Sequence, residues 1–271
     1  MKKLFVLLVV FAMIIGLAAC AKPTPKNPVI RLSTTTSVND SGLLPYLQPY
    51  FESDTGYKLE VSSDGTGAAI KKAVDGNADC LLVHSKSAEE TFVNQGFGEK
   101  RISFMYNYFV IVGPKEDPAG VKNTTTAAQA FQAIANAGAK FITRGDASGT
   151  NTAELNIWKA INVDPKGKDW YINIGGSMGQ ALNMASEKQA YTLSDKATYL
   201  ANKGSLNILL PESTDMKNTY SLIAITPARF PDTNYDGAQA FINWMTSSRA
   251  SDLISKYGVD KYGEQLFFIL K

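Results

Sequence analysis

Lys140-Phe141-Ile142-Thr143-Arg144-Gly145-Asp146-Ala147-Ser148-Gly149-Thr150 joins a short apolar run to a loop of glycine and hydroxyl residues, and helical periodicity continues from Thr152 to Ile161. A short apolar run closed by turn residues reads as a strand, and apolar residues returning every three or four positions read as a helix. The same succession occurs twice upstream: Ser33-Thr34-Thr35-Thr36-Ser37 closes the run from Val29 to Ser33, and Asp64-Gly65-Thr66-Gly67 closes the run from Lys58 to Ser63. Further apolar runs cover Cys80 to His84, Met105 to Gly113, Trp170 to Asn173, Leu206 to Leu210 and Ser221 to Thr226. Helical patterns lie between most of them, at Leu43 to Phe51, Gly67 to Val74, Ala127 to Ala137, Gln180 to Ser186, Ala238 to Met245 and Ser251 to Tyr257. This alternation predicts an α/β fold with mainly parallel sheets flanked by helices. Pro45 and Pro49 predict a kink in the first of these helices, because a proline past the first turn removes a hydrogen bond.

Turn-rich segments at Val112 to Gly120 and at Ile225-Thr226-Pro227 read as two crossings between lobes. Lobe I then comprises residues 29–115 and 223–271, and lobe II the inserted residues 116–222. A body of about 240 residues is large enough for two such lobes. Ligands of open α/β sheets sit beyond the carboxyl ends of strands, which places a ligand in the cleft between the lobes.

The amino terminus has a different character. Lys2 and Lys3 precede an apolar run from Leu4 to Leu17, short for a membrane span and suited to a signal peptide over residues 1–19. Leu17-Ala18-Ala19-Cys20 resembles a bacterial lipobox, which implies cleavage before Cys20 and a lipid on its sulfur. An ordinary secretory signal ending at small residues is the alternative reading. Residues 20–28, with Pro23, Pro25 and Pro28, read as an extended tether. Loss of Lys2 and Lys3 takes the charge from 27 basic against 25 acidic residues to 25 against 25, so no basic surface for nucleic acid is implied. With Cys20 lipidated, Cys80 has no disulfide partner and reads as a buried, inert thiol.

Helix amino termini present unpaired N–H groups and partial positive charge, hydroxyls add neutral donors, and glycine admits close backbone approach. The three loops combine all of these, a set suited to an oxyanion. Arg144 is their one cation and can hold two oxygens of one anion, even while Asp146 orients it.

The runs Thr34-Thr35-Thr36-Ser37 with Asp40-Ser41-Gly42-Leu43-Leu44, Gly65-Thr66-Gly67, Asn107 to Pro114 with Asp117-Pro118-Ala119-Gly120, and Arg144 to Thr150 resemble the tungstate-binding lipoproteins of TupA type over nearly the whole mature chain. The resemblance implies a two-lobed type II periplasmic-binding-protein fold, closing on one oxyanion and docking on the permease of an ABC transporter. It implies a monomer outside the cytoplasm, held to the membrane by its lipid, with no cofactor and with tungstate or molybdate as ligand. By that resemblance Arg144, Ser148, Gly149 and Thr150 touch the anion from one lobe, and Thr35, Thr36, Ser37 and Thr66 from the other. Thr34, Gly65, Gly67 and His84 form a second rank of candidates. A phosphate-binding protein of the same superfamily is the main alternative. Phosphate carries a proton at neutral pH and favours a carboxylate acceptor, whereas His84 holds the place just past the third strand and can donate to a dianion without repelling it. Asp64 and Asp146 read as a cap and a clamp.

Gly175-Gly176-Ser177-Met178-Gly179 fits the G-x-S-x-G pattern of serine hydrolases, but that arrangement needs a later histidine and the one histidine is His84. The Gly65-Thr66-Gly67 run lacks a phosphate-loop lysine, and no His/Cys/carboxylate cluster suggests a metal cation. The sequence therefore reads as a binder and not an enzyme. A Cys20→Ser variant is expected in the soluble extracytoplasmic fraction while the parent stays with the membrane; fractionation and immunoblotting check this, and equal retention of the two argues against a lipid anchor.

Overall fold

A computed structural model describes residues 25–270, so Cys20, the signal segment and the first residues of the tether lie outside the described part. The chain runs β1 (Val29–Thr35), α1 (Thr36–Asp40), α2 (Leu43–Thr55), β2 (Lys58–Asp64), α3 (Thr66–Val74), β3 (Cys80–Val83), α4 (Lys86–Asn94) and β4 (Ile102–Gly113). It continues through α5 (Ala127–Ala137), β5 (Phe141–Thr143), α6 (Gly149–Ala160), β6 (Tyr171–Asn173), α7 (Met178–Lys188), β7 (Thr192–Asp195), α8 (Lys196–Ala201) and β8 (Asn207–Leu210). The last elements are β9 (Lys217–Ala224), α9 (Tyr235–Met245), α10 (Ser248–Lys256), α11 (Val259–Tyr262) and β10 (Phe268–Ile269).

The α/β class stands, but the sheets are mixed. β1 pairs in parallel with β2 and β3, and β5 in parallel with β6, whereas β9 runs antiparallel to both β3 and β4. The reason lies in β4. This long strand pairs with β9 and β10 through Ile102 to Tyr108, then with β7 and β8 through Phe109 to Gly113. One continuous strand thus belongs to both lobes, and its return partner must run the other way. The sheet partners consequently change at Tyr108/Phe109 and between Leu210 and Lys217.

Strand alternation distributes the core. In β3, Cys80 and Leu82 join the cluster around Phe51, Phe241 and Leu222, while Leu81 and Val83 point to Ala69, Phe92 and Ile223 on the opposite face. In β4, Phe109 and Ile111 pack with Phe131, Phe141 and Trp158, and Val110 and Val112 with Met178, Leu182 and Tyr199. All residues of β3 and the last five of β4 are buried on one face or the other, which is why these segments read as unbroken apolar runs. Cys80 is a free, buried thiol, and burial pushes its pKa up. The helix α2 continues through Pro49, with Pro45 in its first turn where no backbone N–H is required.

Several elements carry too little local signal to be read from the residues. α4 buries only Glu89 and Phe92, and β7 consists of Thr192, Leu193, Ser194 and Asp195, all buried by the surrounding fold. α1, α8, α11 and β10 are also additions, each of six residues or fewer.

Gly113, at the end of β4, lies where a Cβ would stand 2.6 Å from Cδ1 of Tyr191 and 2.8 Å from Cδ1 of Leu209. Gly113→Ala is expected to destabilise the protein by about 1–3 kcal/mol through overpacking. Urea unfolding reads this as a lower midpoint at unchanged slope, and an unaltered midpoint would show that Tyr191 yields freely.

Candidate functional site

Three strand-to-helix junctions converge between the lobes. Register places Thr35 opposite Asp64 and Thr34 opposite Leu82, so β1, β2 and β3 end at one level. α1 starts at Thr36 and α3 at Thr66 without any side-chain cap, while α6 starts at Gly149 after the cap residue Ser148, whose hydroxyl accepts from Asn151 N. Thr34, Thr35, Ser37, Thr66, Arg144, Ser148 and Thr150 are all buried, none more than 2% exposed. Hydroxyls and a guanidinium this deep must be matched by polar partners.

Arg144 is the link across the cleft. Its Nη2 donates to Thr36 Oγ1 at 3.0 Å and to Asp146 Oδ2 at 2.5 Å, and its Nε donates to Gly176 O at 3.2 Å. Among the described residues its Nη1 donates to no protein atom. Asp146 also accepts from Ser148 N at 3.2 Å, so one carboxylate orients both the guanidinium and the turn into α6. A second cross-cleft bond runs from Gly149 N to Thr66 Oγ1 at 3.0 Å. Gly149 is required by close approach, since a Cβ there would lie 2.5 Å from Cε1 of His84. Gly65 faces Asp146 O, 3.0 Å from where its Cβ would be, whereas Gly67 has ordinary van der Waals room.

His84 sits in a chain of side chains. Its Nδ1 meets Asn218 Oδ1 at 2.9 Å and its Nε2 meets Ser37 Oγ at 3.0 Å, and Ser37 Oγ in turn meets Thr35 Oγ1 at 3.1 Å. Asn218 Nδ2 donates to Asn107 Oδ1 and to the Tyr220 hydroxyl, so the amide oxygen of Asn218 is the acceptor toward His84. Nδ1 therefore carries the proton and Nε2 accepts from Ser37. Burial, aided by the charge of Arg144, lowers the His84 pKa to about 4. Both ring nitrogens of His84 are thus engaged by side chains, Nδ1 as donor and Nε2 as acceptor.

Other expectations are also redistributed. The Thr34 hydroxyl donates to Leu82 O at 2.7 Å and so belongs to the sheet. Asp64 is no cap: it pairs with Lys72 at 2.5 Å, and Gly65 occupies the N-cap of α3. Ser177 caps α7 in a capping box with Gln180, which accounts for its place in the G-x-S-x-G run.

Polar residues outside the three loops complete the floor. Asn107 and Asn218 are buried within β4 and β9, and Asp195 ends β7 and caps α8 by accepting from Thr198 N at 2.9 Å. Thr150 Oγ1, Asn107 Nδ2, Asp195 Oδ2 and Thr198 Oγ1 are buried without a hydrogen-bond partner. Burial raises the Asp195 pKa to about 6, against the hydrogen bonding of the Thr198 side chain and amide and the attraction of Arg144, and it raises that of Asp40 as well. A polar asparagine inside the apolar run Met105 to Gly113 is the signal that sequence reading passed over. Asp195 offers none, because β7 itself has no apolar period. A cavity of about 580 Å³ opens beside His84 and Gly149, lined also by Lys86, Arg101, Lys217 and Asn218. Among the described residues no cluster of His, Cys, Asp and Glu could hold a metal ion.

A model described as a PBP superfamily domain matches residues 22–249. The tungstate-binding protein TupA of Peptoclostridium acidaminophilum is 42% identical, across 98% of this chain and 98% of that protein. The chain belongs to the PBP superfamily and, within it, to the TupA family. Solved structures similar to this TupA-family chain include the tungstate ABC transporter protein from Geobacter sulfurreducens, with 45% identity, a TM-score of 0.78 and coverage of 84% of this chain and 98% of that one. Tungstate-binding TupA from Desulfovibrio alaskensis G20 has 40% identity, a TM-score of 0.76 and coverage of 90% and 99%.

In this TupA-family cleft His84 and Asp195 act oppositely on stability. The His84 pKa lies below its unfolded value, so its contribution is full above pH 6.5 and is lost as pH falls toward 4. The Asp195 pKa lies above its unfolded value, so its penalty is present above about pH 6 and is relieved as pH falls toward 3.8. Each shift corresponds to roughly 3 kcal/mol, and over pH 6.5 to 4 the two offset. Asp195→Asn is expected to expose the histidine term as a steep acid loss of stability in that window. Urea midpoints measured against pH test it, and parallel profiles for the two proteins would refute the assignment.

Proposed function

We propose that this chain is an extracytoplasmic solute-binding protein that captures a tetrahedral oxyanion dianion, tungstate by preference with molybdate as the close alternative, and delivers it to the permease of an ABC transporter. The observation that carries the reading is Arg144: a guanidinium only 2% exposed, reaching across the cleft to Thr36 and held by a single adjacent carboxylate. Around it the amino termini of α3 and α6 bring N–H groups and partial positive charge, and Thr35, Thr36, Ser37, Thr66, Ser148 and Thr150 bring hydroxyls. Such a set offers charge plus many neutral donors, the complement of four equivalent oxygens. We assign Arg144, Thr36, Thr66, Gly149 and Thr150 to direct contact, with Thr35, Ser37 and Ser148 beside them. His84 and Asn218 hold the Ser37 hydroxyl from behind.

The names of the relatives support tungstate. The phosphate alternative is not favoured, since His84 brings no charge to the end of β3 and no relative reported above is named for phosphate. The two curated relatives named for tungstate and the structures named for its transporter point the same way and suggest no enzyme. Within this reading the chain works as a monomer, tethered through a lipid on Cys20, and hands its anion to the permease as the lobes part.

Loss of a charge-assisted contact in a dry cleft should cost on the order of 2–5 kcal/mol, and loss of one hydroxyl about 1 kcal/mol. Arg144→Ala is therefore expected to weaken tungstate binding far more than Thr66→Ala. Calorimetric titration of the soluble body with tungstate, molybdate, sulfate and phosphate checks both this ranking and the ligand, with phosphate weaker than tungstate by at least about a thousandfold, or roughly 4 kcal/mol. Equal affinities for the two variants would move the charge complement from Arg144 to the helix termini, and equal binding of phosphate and tungstate would overturn the ligand.

A further inference from the structure

A carboxylate stands where an anion-binding cleft should exclude one. Asp195 is fully buried at the end of β7, opposite Phe109 of β4, at the point where that strand passes from one lobe to the other. Its Oδ1 is occupied by the cap bond from Thr198 N, and its Oδ2 lacks a well-formed hydrogen bond, although the Thr198 side chain adjoins the carboxylate and favours its charged form. The surroundings belong to the anion site. Arg144 and Asp40 lie within charge range of Asp195, as does Tyr220, whose hydroxyl adjoins Ser37, Asn107 and Asn218. Helix α6, which begins with Gly149 and Thr150, packs on β7, and α1, which begins with Thr36, packs on α8. Three further orphaned atoms, Thr150 Oγ1, Asn107 Nδ2 and Thr198 Oγ1, are donors. Orphaned buried atoms on this scale mark a place where a ligand completes the bonding.

An ionised Asp195 would set a negative charge against a dianion in a desolvated cleft, a repulsion of the kind that proteins use to reject ligands. Tungstate and molybdate are fully deprotonated at neutral pH and bring no proton to quench it. Local groups compensate that charge only in part, since burial outweighs the help of Thr198 and Arg144. Arg144 is held by Asp146; Lys196, next in the chain, is ion-paired with Glu212 and Glu264; Asp40 adds a second negative group. His84 is neutral, with Nε2 accepting from Ser37. The remaining way to admit a dianion is to protonate the carboxyl.

Resting on the oxyanion reading above, we propose that the cleft closes on a dianion with Asp195 in its acid form, its Oδ2–H donated to the ligand, so that binding takes up one proton from solvent. The acid group then becomes a donor among donors, in line with Thr150, Asn107 and Thr198. Burial has already brought the free carboxyl to about pH 6, so the dianion has only a modest further shift to impose at neutral pH. Asp195 is thus a specificity residue: it makes capture of the dianion proton-linked.

The test is calorimetric titration of the protein with sodium tungstate at pH 7.5 in two buffers of different ionisation enthalpy. The wild type is expected to take up about one proton per anion, and its affinity to fall by up to about tenfold per pH unit between pH 7 and 8.5. Asp195→Asn keeps a cap acceptor and supplies a permanent donor, so it is expected to bind tungstate with a flat pH profile and no proton uptake. Wild-type binding without proton uptake overturns the inference by itself, whether or not the variant folds. Persistent uptake in Asp195→Asn overturns it too, and assigns the proton to His84. Failure of tungstate to bind at any pH overturns the oxyanion reading, and this inference with it.

Discussion

The guanidinium of Arg144 is the constraint around which the rest is arranged. A buried cation is costly unless its partners are fixed, and here they come from three directions: Asp146 in its own loop, Gly176 O from the turn before α7, and Thr36 from the other lobe. One carboxylate, that of Asp146, pairs with it directly and orients it. The three loops supplement that positive centre with dipoles and hydroxyls. The same placement ties the two lobes to each other, through the bond to Thr36 and the bond from Gly149 N to Thr66.

Lobe position depends in turn on β4. This strand is shared by two sheets, and its apolar side chains keep both cores continuous, from Met105 in one to Val112 in the other. The buried amides Asn107 and Asn218 sit at the crossing and tie β4 to β9 beneath His84. Polar networks of this kind orient whatever they touch, and here they fix which nitrogen of His84 carries the proton and hence where the Ser37 hydroxyl points. His84 accordingly meets Ser37 through Nε2 as an acceptor.

Much of this was legible in the residues. The β1, β2 and β5 runs, their hydroxyl-rich loops and the helices that follow are local patterns, and Arg144, Thr36, Thr66, Ser148, Gly149 and Thr150 fall in the structure at the junctions expected of them. The spacing of apolar residues also separated α5, α6 and α9 correctly. Less legible were elements whose burial is imposed from outside: β7, α4 and α8 carry little apolar period, and the antiparallel course of β9 depends on which edge of β3 is open to it.

What the sequence determined by itself was the class of fold, the three loops and the one cation they contain, because strand alternation, helix period and helix-start chemistry act over a few residues. Tertiary structure alone decided that His84 would be held as a neutral acceptor by Asn218, 134 positions away. It alone brought Asp195 within charge range of Arg144, and it alone let β4 serve both lobes. Desolvation and long-range pairing depend on what the fold places around a residue, and no short window of sequence contains that information.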